Sequence, residues 1–449
     1  MQYQFRARLM GRGLSLIVAL GIILSLFAGA APKSFQAPAL ARPGEAALDA
    51  TNEVLGIVSR LRHLSVLHPV KSGMKTHDEI EQSVIRDLDE NTTPAEFDAT
   101  SKTLLKLGLI PKGFRLRDYV VKLLREQVAG FYEPKTKEFY LAAWLPISEQ
   151  KSVMAHELTH ALQDQHFNLQ RFERWPKGDS DAEMAAHALV EGEATVVMFE
   201  YAAEQEGVHL DVTALSSLTD RMLEQDDTSD SSKYPVLSQA PLVLRENLQF
   251  PYVYGVGFVQ QVLKNKSWQT LDLCYDKLPA SSQQIMHPAK FLDRDDPVKI
   301  KIGDLQPALG QDWKRADEDV NGEFGYMVLL SEFIGKRKAS AAAEGWSGDR
   351  YVLYENKRTG DVILAQYTTW HSASDAKRFF DAYLERTEKR YPHAQPPAAA
   401  AENVVYETGE GLASIELRGN DVVTIEGPGN RAQLKKLSEL VWQSKKTPR

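Results

Sequence analysis

The sequence predicts an α+β protein: a larger, mostly helical part carrying one small sheet with an edge strand, then a C-terminal α+β domain with an antiparallel sheet. Three observations predict it. Apolar residues recur at helical spacing over 46–125, and two further helical runs read over 148–167 and 181–204. Two β-rich runs, 128–132 and 138–142, flank the turn-forming Glu133-Pro134-Lys135-Thr136-Lys137. Beyond residue 320, several strand-like runs are interspersed with long helical ones.

Composition bounds the partners. With 449 residues, 43% hydrophobic and 25% charged, the chain is long enough for two or three domains and too apolar for a disordered class. A formal net charge of -8 without a sustained basic run argues against nucleic acid as a partner. The single cysteine, Cys274, excludes an intrachain disulfide and a thiolate metal site, so any metal must be held by His and carboxylate.

Residues 1–41 read as an export signal, in which Arg6, Arg8 and Arg12 precede an apolar run over 14–28 and small residues offer cleavage after Ala30 or Ala41. Left uncleaved, the run would serve as an N-terminal membrane anchor. Either way the expected location is periplasmic or extracellular. Residues 46–125 form a helical region, with Val54, Leu55, Val58 and Leu61 on one face and Gly108 then Pro111 ending a helix over 94–107. A domain over 126–315 opens with the hairpin, whose edge either binds an extended peptide by strand addition or is purely structural. Helices over 148–167 and 181–204 follow, separated by a loop containing Trp175, Pro176 and Gly178. Asp226, Asp227 and Asp230 lack the spaced ligand pattern of a calcium loop and read as solvated. Further helices are expected over 254–264 and 279–291. The domain over 320–449 reads as a helix, strands near 351–355 and 361–370, a helix over 374–390, strands near 404–406, 413–417 and 422–426, and a last helix over 433–443. Its helices are expected on one face of the sheet, with Pro396-Pro397 in an internal loop.

The chemistry gathers on the helix over 148–167. His156-Glu157-Leu158-Thr159-His160 places two imidazoles on one face, where both can reach one ion, and sets the Glu157 carboxylate about a quarter turn round. That is the HExxH arrangement of a zinc hydrolase, with Glu157 as general base. A catalytic zinc needs a third protein ligand, and Glu191, His166, His187 and Glu193 compete for the place. His166 stands six residues beyond His160 as in metzincins, but Gln163 occupies the position where those have a helix-breaking Gly. If the helix continues, His166 points about 240° away from His160.

Leu189-Val190-Glu191-Gly192-Glu193-Ala194 resembles the Asn-Glu-Gly-Phe-Ala segment of the gluzincin aminopeptidases, which implies Glu191 as the third ligand and leaves Glu193 facing elsewhere. Gly192 would let that helix approach the metal helix closely. Pro251-Tyr252-Val253-Tyr254-Gly255 is similar to their Pro-Tyr-Glu-Lys-Gly segment, whose Tyr hydrogen-bonds the tetrahedral intermediate; by position the role falls on Tyr252, with Tyr254 as rival. The resemblance covers mainly 127–263 and lacks a Gly-x-Met-Glu-Asn segment, so exopeptidase specificity is not implied. His187 shares a face with Glu191 as a supporting partner or a core residue, and His287 is a further candidate for the cleft. Thr195 and Asp164 fall one turn beyond Glu191 and His160, where they could orient the ligands, although such helix positions are expected to face solvent.

The expected function is that of an exported zincin metallopeptidase of gluzincin type, an endopeptidase holding one Zn2+ on His156, His160 and Glu191 and acting on peptide or protein substrates. The alternatives are a non-catalytic envelope-binding or chaperone-like protein with a structural metal, a metzincin-like site using His166, and a hydrolase of non-peptide substrates. The C-terminal domain shows no catalytic constellation and reads as a substrate- or envelope-binding module.

Overall fold

A computed structural model of the chain describes residues 43–127, 130–173, 175, 178–211, 234–264, 266–394 and 402–447. Segment 1–41 with both cleavage sites, the acidic loop of Asp226, Asp227 and Asp230, and Pro396-Pro397 lie outside these residues. The fold is α+β. Among the described residues no helix is long and apolar enough to cross a membrane.

The chain opens with α1 (Pro43–Arg62), β1 (Lys71–Lys75), α2 (His77–Asn91), α3 (Pro94–Leu107) and α4 (Leu116–Gln127). Local chemistry sets several of these limits. Thr76 with Glu79, and Thr93 with Glu96, form reciprocal capping boxes at the starts of α2 and α3. Gly108, at φ 80, ends α3 by donating to Leu104 and Leu105 carbonyls. The strand β1 corrects the expectation of an all-helical N-terminal region. Its sequence, Lys-Ser-Gly-Met-Lys, has no alternating apolar pattern and no β-branched residue; it is a strand because it pairs, in parallel, with a distant partner.

That partner is the expected hairpin, β2 (Gly130–Glu133) and β3 (Glu138–Ala142), which gives the order β1-β3-β2 and leaves β2 at an edge. Three long helices follow: α5 (Ile147–Phe167), α6 (Ser180–Gln205) and α7 (Leu242–Leu263). Ala182, Ala185, Ala186, Ala188 and Ala194 keep α6 small all round, so it lies buried against α5, α7 and α1. A β-carbon on Gly192 would stand 2.3 Å from the backbone of Gly255, and one on Gly255 would stand 2.2 Å from the Ala188 carbonyl oxygen. The close approach expected of Gly192 is therefore made to α7 rather than to the metal helix. The start of α7 also differs from expectation. Pro251 sits inside the helix rather than before it, at the loss of one backbone hydrogen bond.

After α8 (Trp268–Asp276), the helix expected over 279–291 is split into Ser282–Met286 and Pro288–Leu292. Pro288 disfavours helical geometry at His287, where the break falls. The C-terminal sheet is built from β5 (Trp313–Asp319), β6 (Trp346–Asn356), β7 (Val362–Trp370), β8 (Asn403–Thr408), β9 (Gly411–Arg418) and β10 (Asp421–Glu426), all antiparallel in the order β5-β6-β7-β10-β9-β8. Because β5 runs over 313–319, the sheet begins before the boundary expected at 315–320. Helices α9 (Gly322–Ile334), α10 (Lys336–Ala343) and α11 (Ala373–Arg390) meet the face carrying Tyr351, Leu353 and Leu364, whereas α12 (Arg431–Trp442) covers Val352, Tyr354 and Ile363. Helices thus lie on both faces, not one, as the apolar residues at both parities of β6 and β7 require. Two short strands, 299–301 and 445–447, pair beside this domain.

Helix α3 belongs to both halves. Thr103 Oγ1 donates to Asp317 at 3.2 Å, Lys102 pairs with Glu355 at 2.6 Å, and Arg386 donates to the Leu107 carbonyl at 2.5 Å. The N-terminal region therefore docks on the C-terminal sheet as well as on the helices around α5.

Candidate metal centre

The fourth residue beyond His156 on α5 is His160, and Glu191 reaches them from α6. His156 Nε2 lies 3.1 Å from His160 Nε2 and 3.2 Å from Glu191 Oε2, and the third side of the triangle is 3.5 Å. Ligands held tetrahedrally at about 2.0–2.1 Å from a zinc-sized ion stand about 3.3 Å apart, so the three atoms already have the spacing of one coordination face. All three residues are 0% exposed. They form a buried group that can hold a metal ion.

Their surroundings fit a cation. Two imidazole nitrogens and a carboxylate oxygen facing one another are all lone-pair donors, an arrangement without partners unless a proton or a metal stands among them. The Glu191 Oε1 and His156 Nδ1 atoms are buried without a hydrogen-bond partner among the described residues. Burial alone would raise the Glu191 carboxyl, but the charge of His160 together with the hydrogen bonds to both rings and the charge of His156 outweighs it and draws the group down to about 2. Burial depresses the His156 imidazole. In His160 burial acts the same way, yet the adjacent Glu191 carboxylate prevails and lifts the ring to about 9.

Glu157 is 2% exposed, and its Oε2 accepts the Tyr132 backbone N–H at 2.9 Å. Burial raises its carboxyl to about 8. Because that N–H belongs to the edge strand β2, the free edge of the small sheet faces the centre. Tyr252 arrives on α7 through the Gly192–Gly255 crossing; its ring lies 6.3 Å from that of His156, and burial with the neighbouring Glu191 carboxylate holds its hydroxyl well above the usual tyrosine range.

The other candidates go elsewhere. His166 Nε2 reaches the Ser65 carbonyl oxygen at 2.8 Å, and His187 is a buried core residue beside Phe172. His287 pairs with Glu323 at 2.7 Å, and Tyr254 packs against Phe250 and Phe324. Glu193 accepts from Arg62 and Tyr275. Thr195 and Asp164, expected at the surface, are buried instead because their helices are enclosed on every side. Asp164 accepts from the Tyr132 hydroxyl at 2.9 Å and Lys137 at 2.7 Å, and so fastens the hairpin to α5 rather than orienting a ligand. The residue that does contact a ring of the triangle is Gln163, whose Oε1 lies 2.7 Å from His160 Nδ1. Its i+3 spacing from His160 is the signal that could have found it. Nothing in the sequence marks the Tyr132 backbone amide.

A domain of unknown function (DUF8575) matches residues 309–438. That span covers the six-stranded sheet and excludes the metal centre. No curated protein and no solved structure matches the chain.

Proposed function

We propose that this chain is an exported, zinc-dependent endopeptidase of the gluzincin type. The observation that carries the reading is the buried triangle of His156, His160 and Glu191 with an adjacent, non-ligating Glu157. A purely structural ion has no use for such a base. His156, His160 and Glu191 would hold zinc, which supplies a Lewis-acidic centre able to make water nucleophilic near neutral pH. Glu157, steadied by the Tyr132 amide, takes the proton from water and returns it to the leaving amine. The Tyr252 hydroxyl, kept protonated by its surroundings, donates to the oxyanion. An extended peptide would lie along the free edge of β2, where backbone hydrogen bonds hold it whatever its side chains. Export rests on Arg6, Arg8 and Arg12 preceding the apolar run over 14–28.

The test is hydrolysis of unfolded casein by the purified protein, with and without chelator, beside Glu157→Gln. The expected outcome is a loss of about 10²–10⁴-fold in the variant with bound zinc retained. Equal rates in wild type and variant would overturn the reading.

A further inference from the structure

We infer that Gln163 is a positioning residue that sets which nitrogen of His160 faces the metal, and that a buried chain through Tyr275 and Glu193 to Arg62 sets Gln163 in turn. The inference rests on the metal centre proposed above.

The direction of each hydrogen bond follows from groups that can act in only one sense. Arg62, at the end of α1 and fully buried, donates its Nε–H to Glu193 Oε1 at 2.6 Å; a guanidinium has no acceptor. The paired Glu193 carboxylate can then only accept, so the Tyr275 hydroxyl must donate to Glu193 Oε2, at 2.7 Å. Its remaining lone pair faces Gln163 Nε2 at 3.0 Å. The same Nε2 donates to the Val190 carbonyl at 3.0 Å, an atom that cannot donate. Two acceptors on one side fix the amide with its nitrogen there and its oxygen toward His160. Gln163 Oε1 can only accept, so His160 Nδ1 carries a proton and Nε2 is the nitrogen turned to His156 and Glu191. The chain also spans the centre: His160 and Gln163 ride on α5, while Val190 precedes the ligand Glu191 on α6.

The experiment compares full-length wild type, Gln163→Leu and Tyr275→Phe, with zinc affinity measured by competition against a chelating dye. The expected result is a fall of about 10–100-fold for Gln163→Leu and a smaller fall for Tyr275→Phe. Unchanged affinity in Gln163→Leu would overturn the inference. A second readout needs no metal: in 15N-histidine spectra of the zinc-free protein, His160 should show an exchange-protected Nδ1–H in wild type that Gln163→Leu loses. If wild type binds no zinc, the metal reading fails while this signal still decides the role of Gln163; its absence from wild type overturns that role.

Discussion

Each residue of the buried triangle does more than point at a shared centre. Glu191 and His160 stand 3.5 Å apart in a buried site, which keeps the carboxylate ionised and lifts the imidazole to about 9. If the site takes up zinc as proposed, the ion must displace the proton on His160, so uptake at neutral pH should release a proton and affinity should fall as the solution becomes more acidic. Calorimetry in buffers of different ionisation enthalpy measures the release; uptake without it at pH 7 would contradict this assignment. Ligand identity has its own test. Glu191→Ala should lower zinc occupancy at least tenfold, whereas His166→Ala, whose ring is engaged with the Ser65 carbonyl, should leave it unchanged by metal analysis. At this scale the sequence was informative wherever spacing alone decides proximity, as for His156 and His160. It was silent where a backbone atom takes part, as at Tyr132, and where burial is decided by helices far away, as at Asp164 and Thr195.

Between elements, the α6–α7 crossing is the contact that brings Glu191 and Tyr252 together. Gly192 and Gly255 leave no room for a methyl group at backbone contact. Gly255→Ala should therefore force the helices apart, costing about 1–3 kcal/mol in denaturant unfolding, and should weaken zinc binding even though no ligand is altered. A variant with wild-type stability and affinity would show that the crossing does not position the site. Helices α5 and α6 were readable to within a residue at either end, because their apolar or small-residue content declares them, whereas α7 begins at Leu242 rather than near the expected 254. The strand β1 was not, since its conformation comes from pairing with β3 and no residue of Lys-Ser-Gly-Met-Lys prefers it. Pro251 misled for the opposite reason: a local preference for ending or starting a helix is overruled by the packing of α7 against α6.

Across the whole molecule, buried acids hold distant elements together: Asp319 of β5 accepts from the Ser180 backbone amide and hydroxyl at the start of α6, which ties the helical part to the C-terminal sheet. Asp181, near the start of α6, accepts from the Ser282 backbone amide, and burial raises its carboxyl from an ordinary 3.8 to about 8. An acid whose folded value is raised contributes stability that is complete below its unfolded value and is lost as pH rises through the folded one. The native state should therefore weaken between pH 4 and pH 8 through this group. Asp181→Asn, which cannot ionise, should gain melting temperature relative to wild type across that window and level off above it. A difference independent of pH would rule out the group. The two faces of the sheet, both covered by helices, lay within reach of the sequence, because β6 and β7 are apolar at successive positions. The docking of α3 on that sheet did not, since Thr103 and Lys102 look like ordinary exposed helix residues until Asp317 and Glu355 are placed beside them. The clasp from Arg386 to the Leu107 carbonyl joins residues 279 positions apart. Closing so long a loop is entropically unfavourable and has to precede the reward of contact, so refolding of this protein should be slow, with the amino-terminal helices waiting undocked until the distant strands have assembled.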